Sequence, residues 1–480
     1  MSAKLIQEIS TDNSKNFKVA IMKREALAGN DQFFEGLTLG LHPLITFGVK
    51  QIPQSTVAIS DEQLLEWEDF VFLCDELQQR NLTGHAARDA IHDTMLASGQ
   101  AQWDDWFRRI LMQDMKAGFS ESTVNKGVEQ AEKHILQVND GIKKPEPEQY
   151  GFLSYSIPVE TCQLAVDCEK RPQDMNGLKM VDIKLDGVRV LSHTHIAKAV
   201  RQTSRNGRDM ENFPQVVEQL ERFKVHFTED MLVDAEIMSG EFQDLMRQVR
   251  RKRNVQTDDA ILNIFDMLPL KEFIKGESTQ TLLERREFLD AYIAEHWGDS
   301  FEDEFPNLAV IAYEIIDLDT DEGQARLMEI NDLALAAKKE GIMLKDINSK
   351  YRLKRTPDWM KMKPYIEVDL AIKALYNGKP ETKNEFILGG FTCVGELVLT
   401  EKLALAIDMP AGATIKIEVN CGGGFKAKER QDFWDAGDSQ IGMIVEVRAD
   451  KPTLSEGSDV WSLRFPRFRR FRGFEAGEKV

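Results

Sequence analysis

The period of the hydrophobic residues changes twice along this chain, and this change constrains its fold more than any other feature. Up to about residue 140, apolar side chains recur at helical spacing. From about residue 150, short β-like runs stand between helical stretches, and past Pro364 apolar and polar residues alternate. The clearest β-like runs are 180–183, 231–233, 261–265, 341–344, 415–419 and 443–447. The pattern predicts a multidomain α+β protein that begins with helices and ends with a small barrel.

Composition sets the class of protein. The chain has 480 residues, of which 42% are hydrophobic and 29% charged, so we expect a globular protein of about three domains. No apolar run reaches membrane-spanning length, and the N-terminus does not look like a signal peptide. These features predict a cytoplasmic protein that is not associated with a membrane. The five cysteines form no Cys-x-x-Cys pair, which disfavours a zinc site and favours a reducing compartment.

Positive charge is concentrated in three segments although the net charge is −19. Any one basic run is as often a solvated surface as a binding surface, but three runs favour a track for nucleic-acid phosphates. The runs are 247–253, 350–363 and 464–472.

A lysine, an acid and a guanidinium stand close together in Lys184-Leu185-Asp186-Gly187-Val188-Arg189. These groups suit attack on the α-phosphate of a nucleotide, provided that the surroundings depress the pKa of the lysine. Taken alone the motif is weak, because Lys-x-Asp-Gly is also typical of a strand that ends in an Asp-Gly turn.

Three pairs of charged residues are spaced two apart in β-like segments. Side chains at i and i+2 of a strand point to the same face, so each pair is expected to direct two charged groups into one cleft. A nucleotide triphosphate with magnesium would match both signs of charge. The pairs are Lys184 with Asp186, Asp234 with Glu236, and Lys361 with Lys363.

Residues 184–189 resemble the first motif of the covalent nucleotidyltransferases, which comprise ATP-dependent DNA ligases, RNA ligases and capping guanylyltransferases. Five further segments resemble the later motifs in the family order, with Ala235 where glycine is usual, and the resemblance covers residues 180–365. They are Ser204-Arg205-Asn206-Gly207 with Asn212-Phe213-Pro214, Asp234-Ala235-Glu236, Phe265-Asp266, residues 340–345, and Lys361-Met362-Lys363. Six motifs in one order make coincidence a poor explanation.

The two ends of the chain narrow the resemblance to DNA ligases. Residues 80–87, 108–118 and 125–126 resemble the helical DNA-binding domain of T-even bacteriophage ligases, and Arg464-Phe465-Pro466 resembles the closing motif of small viral ligases. The resemblance implies an all-α DNA-binding domain at 1–142, a nucleotidyltransferase (adenylation) domain of antiparallel sheets with helices at 150–364, and an OB-fold β-barrel at 367–480.

The resemblance also implies a role for individual residues. Lys184 would form a phosphoramidate with AMP, Phe265 would stack on adenine, and Glu236 and Glu340 would bind magnesium. The implied nucleotide contacts are Asp182, Ile183, Asp186, Arg189, Arg205, Glu236, Phe265, Arg355, Lys361 and Lys363. The implied DNA contacts are Arg108, Arg109, Lys116, Arg189, Arg205, Arg250, Arg251, Arg464 and Arg467.

The implied function is ATP- and magnesium-dependent sealing of nicks in duplex DNA during replication, repair and recombination. The enzyme would be a monomer that encircles the DNA with three domains, in the cytoplasm of an infected bacterium if it came from a phage, and no peptide compels a sliding-clamp contact. Alternatives are an RNA ligase, a capping guanylyltransferase, or a DNA clamp that has lost catalysis. A nicotinamide-dependent ligase is disfavoured because no cysteine zinc module is present.

Overall fold

The chain forms two compact units, Met1–Glu160 and Thr161–Val480. The structure is a computed structural model, and each unit is considered by itself. It describes residues 2–49, 52–55, 65–146, 149–158, 161–240, 242–251, 257–337, 339–380, 384–454 and 457–473.

The first unit is built from helices, which confirms the helical spacing of this part of the sequence. They are α1 (Ser2–Ser10), α2 (Lys15–Leu27), α3 (Asp31–Leu41), α4 (Trp67–Gln78), α5 (Gly84–Ala97), α6 (Gln100–Gln102), α7 (Arg108–Leu111) and α8 (Glu121–Asp140). A π-helical turn, Trp103–Phe107, joins α6 to α7 and buries three aromatic rings. Gly36 of α3 permits close packing there, since a Cβ at that position would lie 2.2 Å from the Trp106 ring.

The second unit contains both helices and strands. Its helices are α9 (Pro214–Phe223), α10 (Phe242–Arg250), α11 (Leu270–Lys275), α12 (Leu282–His296), α13 (Phe301–Glu304), α14 (Asp321–Ala336), α15 (Glu401–Ala406) and α16 (Ala427–Ala436). Its first strands are β1 (Leu164–Asp167), β2 (Leu178–Lys184), β3 (Val188–Thr194), β4 (Arg201–Ser204), β5 (Met231–Met238), β6 (Ile261–Pro269), β7 (Glu277–Thr281), β8 (Leu308–Val310), β9 (Tyr313–Asp317), β10 (Gly341–Asp346), β11 (Lys350–Arg352) and β12 (Arg355–Met362).

Two five-stranded sheets organise the first part of this unit. One has the order β1-β12-β10-β2-β9 and the other β4-β3-β5-β6-β8, and β7 pairs with β11 separately. Within the two large sheets neighbouring strands are antiparallel, apart from β1 with β12 and β6 with β8. The β-like runs at 180–183, 231–233, 261–265 and 341–344 lie in strands, as predicted.

The last part of the second unit is a seven-stranded sheet. Its strands are β13 (Ile366–Asn377), β14 (Leu388–Val398), β15 (Thr414–Cys421), β16 (Ile444–Ala449), β17 (Pro452–Leu454), β18 (Trp461–Leu463) and β19 (Arg467–Gly473), in the order β17-β18-β15-β14-β13-β16-β19. Alternate residues of β15 are buried, as the alternating sequence predicts. The chain passes from β12 to β13 through residues 363–365, where proline had marked the change of pattern.

Among the residues that the structure describes, no helix is both long enough and apolar enough to cross a membrane. All five cysteines are buried free thiols.

Candidate active site

A cavity of about 490 Å³ is lined by strands of both five-stranded sheets. Strands β1, β2, β10 and β12 contribute from one sheet, and β3, β4, β5 and β6 from the other. The lining brings together most of the predicted nucleotide contacts: Asp182, Ile183, Lys184, Arg189, Arg205, Glu236, Phe265, Arg355 and Lys361. Asp186, Glu340 and Lys363 lie outside this lining.

Lys184 is the last residue of β2, and its Nζ is ion-paired with Glu340. The pairing depends on Gly341, which stands opposite Lys184 at φ +138°. A Cβ at this glycine would lie 2.2 Å from the Met362 carbonyl oxygen, so only glycine lets β10 and β12 approach so closely. The backbone therefore holds Glu340 against Lys184.

Asp186 and Lys363 correct the prediction that was based on strand alternation. β2 ends at Lys184 and β12 at Met362, so both residues lie beyond the strands and the i, i+2 rule does not apply to them. Lys363 pairs with Asp450 next to β16 and lies 4.0 Å from Glu340, while Asp186 pairs at 3.3 Å with Arg464. Both residues thus link the cavity region to the seven-stranded sheet.

Asp182 and Lys345 form a buried ion pair in the wall of the cavity. The Lys345 Nζ lies 2.5 Å from the Asp182 carboxylate, 4.8 Å from the Phe265 ring centroid and 4.7 Å from the Trp359 ring centroid. Lys345 and Trp359 were absent from the predicted site. Lys345 ends the fifth motif segment, 340–345, which was the one local signal for it. Trp359 lies in the basic run 350–363, two residues before Lys361 and on the same face of β12, but no motif included it.

Arg189 was predicted to contact phosphate, but here its guanidinium makes two hydrogen bonds to Asp234, one of them 2.7 Å long. Tyr351 donates a third hydrogen bond to Asp234, at 2.6 Å. The Arg189 guanidinium also lies 4.9 Å from the Phe265 ring centroid. Arg189 therefore borders the cavity while most of its hydrogen-bonding capacity is directed away from it.

Glu236 and Lys361 line the cavity, and the pKa of each side chain is shifted from its ordinary value. Burial raises the pKa of Glu236 to about 7, although Arg189 and Lys184 oppose the shift. Burial, together with the positive charges of Lys363 and Lys184, lowers the pKa of Lys361. Gly187 permits the close approach of β5, since its Cβ would lie 2.3 Å from the Ile237 carbonyl oxygen.

Arg205 and Arg355 line the cavity with exposed side chains. Arg205 lies in the turn after β4, where the Gly207 N–H donates to the Ser204 carbonyl at 2.9 Å. Arg355 begins β12, and its guanidinium donates to the Ala165 carbonyl. Both guanidinium groups are thus accessible to a ligand that enters from solvent.

Comparison with known proteins places this site in a family. The model of the ATP dependent DNA ligase domain matches residues 162–363, which include the whole cavity lining. The solved structure of Pmar-Lig_Pre is 35% identical, covers 99% of this chain and 100% of its own, and superposes with a TM-score of 0.84. The chain belongs to the ATP-dependent DNA ligase family.

Curated ligases are more distant. The DNA ligase of Methanobrevibacter smithii is 25% identical over 334 residues, which cover 63% of this chain and 54% of that enzyme. The probable DNA ligase of Koribacter versatilis is 23% identical over 454 residues, which cover 83% and 74% respectively. This ligase-family chain spans about half the length of the archaeal ligases that it matches.

In this ligase-family protein, the predicted DNA contacts of the first unit are partly occupied by its own fold. Arg109 donates to the carbonyls of Asp104 and Met115 at 3.2 and 2.9 Å and pairs with Asp105. Arg108 donates to the Ile52 carbonyl at 3.0 Å. Lys116 pairs with Asp114 at 2.9 Å.

The predicted DNA contacts of the second unit differ in accessibility. Arg251 is exposed, whereas the side chain of Arg250 and residues 252–253 of the same basic run lie outside what the structure describes. Arg467 is exposed on β19. Arg470 and Arg472 pair with the buried Glu446, so part of the last basic run neutralises a carboxylate of its own sheet.

Proposed function

We propose that this protein is a DNA ligase that uses ATP to seal nicks between a 5′-phosphate and a 3′-hydroxyl in duplex DNA. The observation that carries the proposal is the placement of Lys184 at the cavity, with Lys361 in the lining and Glu340 against its amine. Membership in the ATP-dependent DNA ligase family supports this chemistry, and the whole activity is proposed because the chain matches only part of its curated relatives.

In the first step Lys184 Nζ attacks the α-phosphorus of ATP. A nitrogen–phosphorus bond forms, the bond from the α-phosphorus to the bridging oxygen breaks, and pyrophosphate leaves. The ammonium must first lose a proton, and its partner Glu340 is the nearest carboxylate to receive it. Lys361 and Arg355 offset the charge on the α-phosphate, with Lys363 once it leaves Asp450.

Phe265 and Asp182 select the base in this scheme. The Phe265 ring lines the cavity beside Lys345 and Arg189, so an adenine ring can stack against it. The Asp182 carboxylate accepts a hydrogen bond from the adenine amino group, while Ile183 and Glu236 border the nucleotide.

In the later steps AMP passes from Lys184 to the 5′-phosphate of the nick, and attack by the 3′-hydroxyl then expels AMP and seals the backbone. Arg205, Arg251 and Arg467, with Arg250 and the first-unit cations, contact DNA phosphates without reading sequence, whereas Arg189 stays paired with Asp234. Asp186 and Arg464 align the seven-stranded sheet with the site.

Glu236 and Glu340 fit magnesium as partial ligands. Among the described residues no group of three or more metal-ligating side chains occurs, and magnesium in nucleotide sites commonly takes one or two carboxylates and completes its shell with phosphate and water. When bound, the ion would add positive charge beside the phosphates.

The larger assembly is part of the proposal. A DNA-binding domain at 1–142, an adenylation domain at 150–364 and an OB-fold at 367–480 would encircle the duplex as a monomer, with residues 364–367 as the hinge. A sliding-clamp contact, a role in replication, repair and recombination, and an infected-host cytoplasm stay predictions. So does the resemblance of the first unit to T-even phage ligases, which rests on sequence motifs alone.

Labelling the protein with nucleotides tests the proposal. The protein is incubated with α-labelled ATP, α-labelled GTP or adenylate-labelled NAD and magnesium, and then run on a denaturing gel. We expect label from ATP alone, its loss in Lys184→Ala and its retention in Lys416→Ala, an exposed lysine of β15. Label from GTP would favour a capping enzyme, and no label from any donor, in a preparation free of bound AMP, would favour a non-catalytic clamp.

The nucleic-acid substrate is tested separately. Nicked duplexes of DNA and of RNA are offered with ATP, and we expect the DNA nick to be sealed. Sealing of RNA but not DNA would contradict the proposal and favour an RNA ligase.

A further inference from the structure

Phe265 is the extra residue of a β-bulge. On β5, Asp234 and Ala235 are consecutive, but their partners on β6 are Asp266 and Ile264, so Phe265 has no partner in the ladder. A bulge bends its strand and redirects a side chain, and it persists only where other groups stabilise the disrupted ladder. The side chain directed by this bulge lines the nucleotide cavity.

The other edge of β6 also loses its partner at this point. The parallel pairing of β6 with β8 ends at Ile264, whose carbonyl accepts the Ile311 N–H at 2.9 Å. Beyond it, the carbonyls of Phe265 and Ile311 need donors, because a buried polar group without a partner is costly.

Arg286 of α12 supplies both donors. Its Nη1 donates to the Phe265 carbonyl at 2.9 Å and its Nη2 to the Ile311 carbonyl at 2.8 Å. The residue is only 1% exposed, its guanidinium lies 4.7 Å from the Tyr313 ring centroid, and its nearest carboxylate, Asp290, is 3.9 Å away and 44% exposed. Two backbone carbonyls are thus the direct hydrogen-bond partners of a buried cation.

The preceding residue of the same helix holds the other side of the bulge. Arg285 makes two 2.8 Å hydrogen bonds to the carboxylate of Asp266, and both side chains are fully buried. A capping box between Thr281 and Glu284, the residue just before Arg285, fixes the start of α12. Two consecutive arginines therefore hold the bulge by hydrogen bonds: Arg286 bonds to the backbone carbonyl of Phe265, and Arg285 bonds to the side chain of Asp266.

We propose that Arg286 is a positioning residue for nucleotide binding: it maintains the bulge that directs Phe265 toward the base. The inference rests on the proposed nucleotide site. Without Arg286, two carbonyls would lack donors and β6 would relax toward regular pairing, which would turn the ring away from the base. Lysine at this position can satisfy one carbonyl but has no planar fork to bridge two.

A double-mutant cycle tests the proposal. The variants are Arg286→Met, Arg286→Lys, Phe265→Leu and the double variant Arg286→Met/Phe265→Leu, and the measurement is the ATP dependence of labelling at Lys184. We expect Arg286→Met to raise the half-saturating ATP concentration about tenfold, as loss of one base–aromatic stack would, with little change in the maximal rate. Arg286→Lys should recover part of the loss.

The cycle separates positioning from general stability. The double variant should bind ATP no more weakly than Phe265→Leu, because Arg286 acts through that ring. Thr281→Ala weakens the start of α12 without touching the bulge and should leave ATP dependence unchanged. Additive effects, or an equal effect of Thr281→Ala, would overturn the proposal.

Hydrogen exchange of the nucleotide-free protein gives a readout that does not depend on activity. Arg286→Met should accelerate exchange at the amides of residues 264–267, whereas Thr281→Ala should not; unchanged exchange would overturn the proposal. If the wild-type protein takes no label from ATP, the proposed function fails, and exchange alone then decides whether Arg286 holds the bulge.

Discussion

Charged side chains around the cavity differ in what neutralises them. Asp182 has Lys345 and Asp234 has Arg189, each within hydrogen-bond distance. Glu236 makes no ion pair within the part of the chain that the structure describes, and burial raises its pKa. The same cavity thus holds carboxylates that are compensated and one that is not.

Glu236 should make the stability of the protein fall as pH rises. The folded protein holds this proton up to about pH 7 and the unfolded chain releases it near 4.5, so ionisation at higher pH opposes folding. Between about pH 5 and pH 8 the free energy of unfolding should fall, and Glu236→Gln should reduce this fall by on the order of 2 kcal/mol. The value is smaller than the pKa shift alone would give because the cavity is open to solvent. Urea unfolding at both pH values measures this, with Glu218→Gln on the exposed face of α9 as control; equal pH dependence in both variants would contradict it.

The Asp182–Lys345 pair should matter most when one member is missing. Lys345→Met leaves a buried carboxylate without its counter-charge and should lower the free energy of unfolding by about 3–5 kcal/mol. The double variant Asp182→Leu/Lys345→Met should lose much less, because no isolated charge remains. In contrast, Lys373→Met breaks the exposed pair with Glu418 and should change the free energy of unfolding by less than about 1 kcal/mol. Additive losses in denaturant melts would argue against this account.

At the scale of elements, the sequence predicted where strands lie but not where they end. Alternation and β-like runs are local patterns, so the strands around 181 and 342 could be predicted from the order of residues in those short segments alone. The end of β2 at Lys184 depends on β10 and on the close approach of β5 to Gly187, which are distant in sequence. The i, i+2 argument placed Glu236, inside β5, at the cavity, but Asp234 on the same strand is fully buried against Arg189 and lies outside the lining. The argument also failed for Asp186 and Lys363, which lie beyond strand ends.

Partners of the predicted residues were harder to find than the residues themselves. The motifs located Lys184, Glu236 and Phe265, which the structure brings to one cavity. Tyr351, Trp359 and Arg286 support them from outside any motif, through contacts across tens to more than a hundred residues of sequence. No local pattern marks such residues, because an arginine or tyrosine in a helix or strand has no preferred distant partner.

Gly341 allows a prediction about the join between β10 and β12. Gly341→Ala places a Cβ 2.2 Å from the Met362 carbonyl at φ +138°, so the two strands must separate and Glu340 must move. We expect a loss of at least about 2 kcal/mol of stability and a fall in Lys184 adenylation of more than about tenfold. Gly298→Ala also has positive φ but meets nothing within 4 Å, and should cost about 1 kcal/mol with normal adenylation. Denaturant melts and gel labelling check both, and normal labelling of Gly341→Ala would contradict the argument.

At the scale of the whole second unit, ion pairs join the seven-stranded sheet to the part of the unit that contains the two five-stranded sheets. Arg448 pairs with Glu169 and Glu367 and stacks 3.7 Å from the Tyr365 ring centroid, on the segment that connects β12 to β13. Lys363 with Asp450 and Asp186 with Arg464 complete the contact. The arrangement seen here therefore depends on charge, and salt should weaken it.

Arg448→Gln tests the role of this contact in the first step. The residue lies outside the cavity lining, so its loss should act through the arrangement of the sheets and not through a contact with the nucleotide. We expect self-adenylation to slow about tenfold because this arrangement becomes less populated. Sealing of a nick that already carries AMP should stay within about twofold, because that step does not need Lys184 to attack ATP. Single-turnover assays of the two steps measure the difference. Equal slowing of both would show that Arg448 serves general stability. The control is Lys373→Gln, at an exposed pair with Glu418 inside the seven-stranded sheet, and it should slow neither step.

The chain of contacts from Lys184 through Glu340 and Lys363 to Asp450 has a further consequence for which anions the site admits. Before any nucleotide arrives, Lys184 and Lys363 are already matched by the carboxylates of Glu340 and Asp450, so phosphate binding at these two lysines would be an exchange of one set of anions for another. A small monovalent anion can displace at most one carboxylate and gains little by entering. A triphosphate carries several charged oxygens on one covalent chain and would therefore be able to displace Glu340 and Asp450 together. If the proposed function holds, these built-in counter-ions would favour a triphosphate over chloride and other monovalent anions.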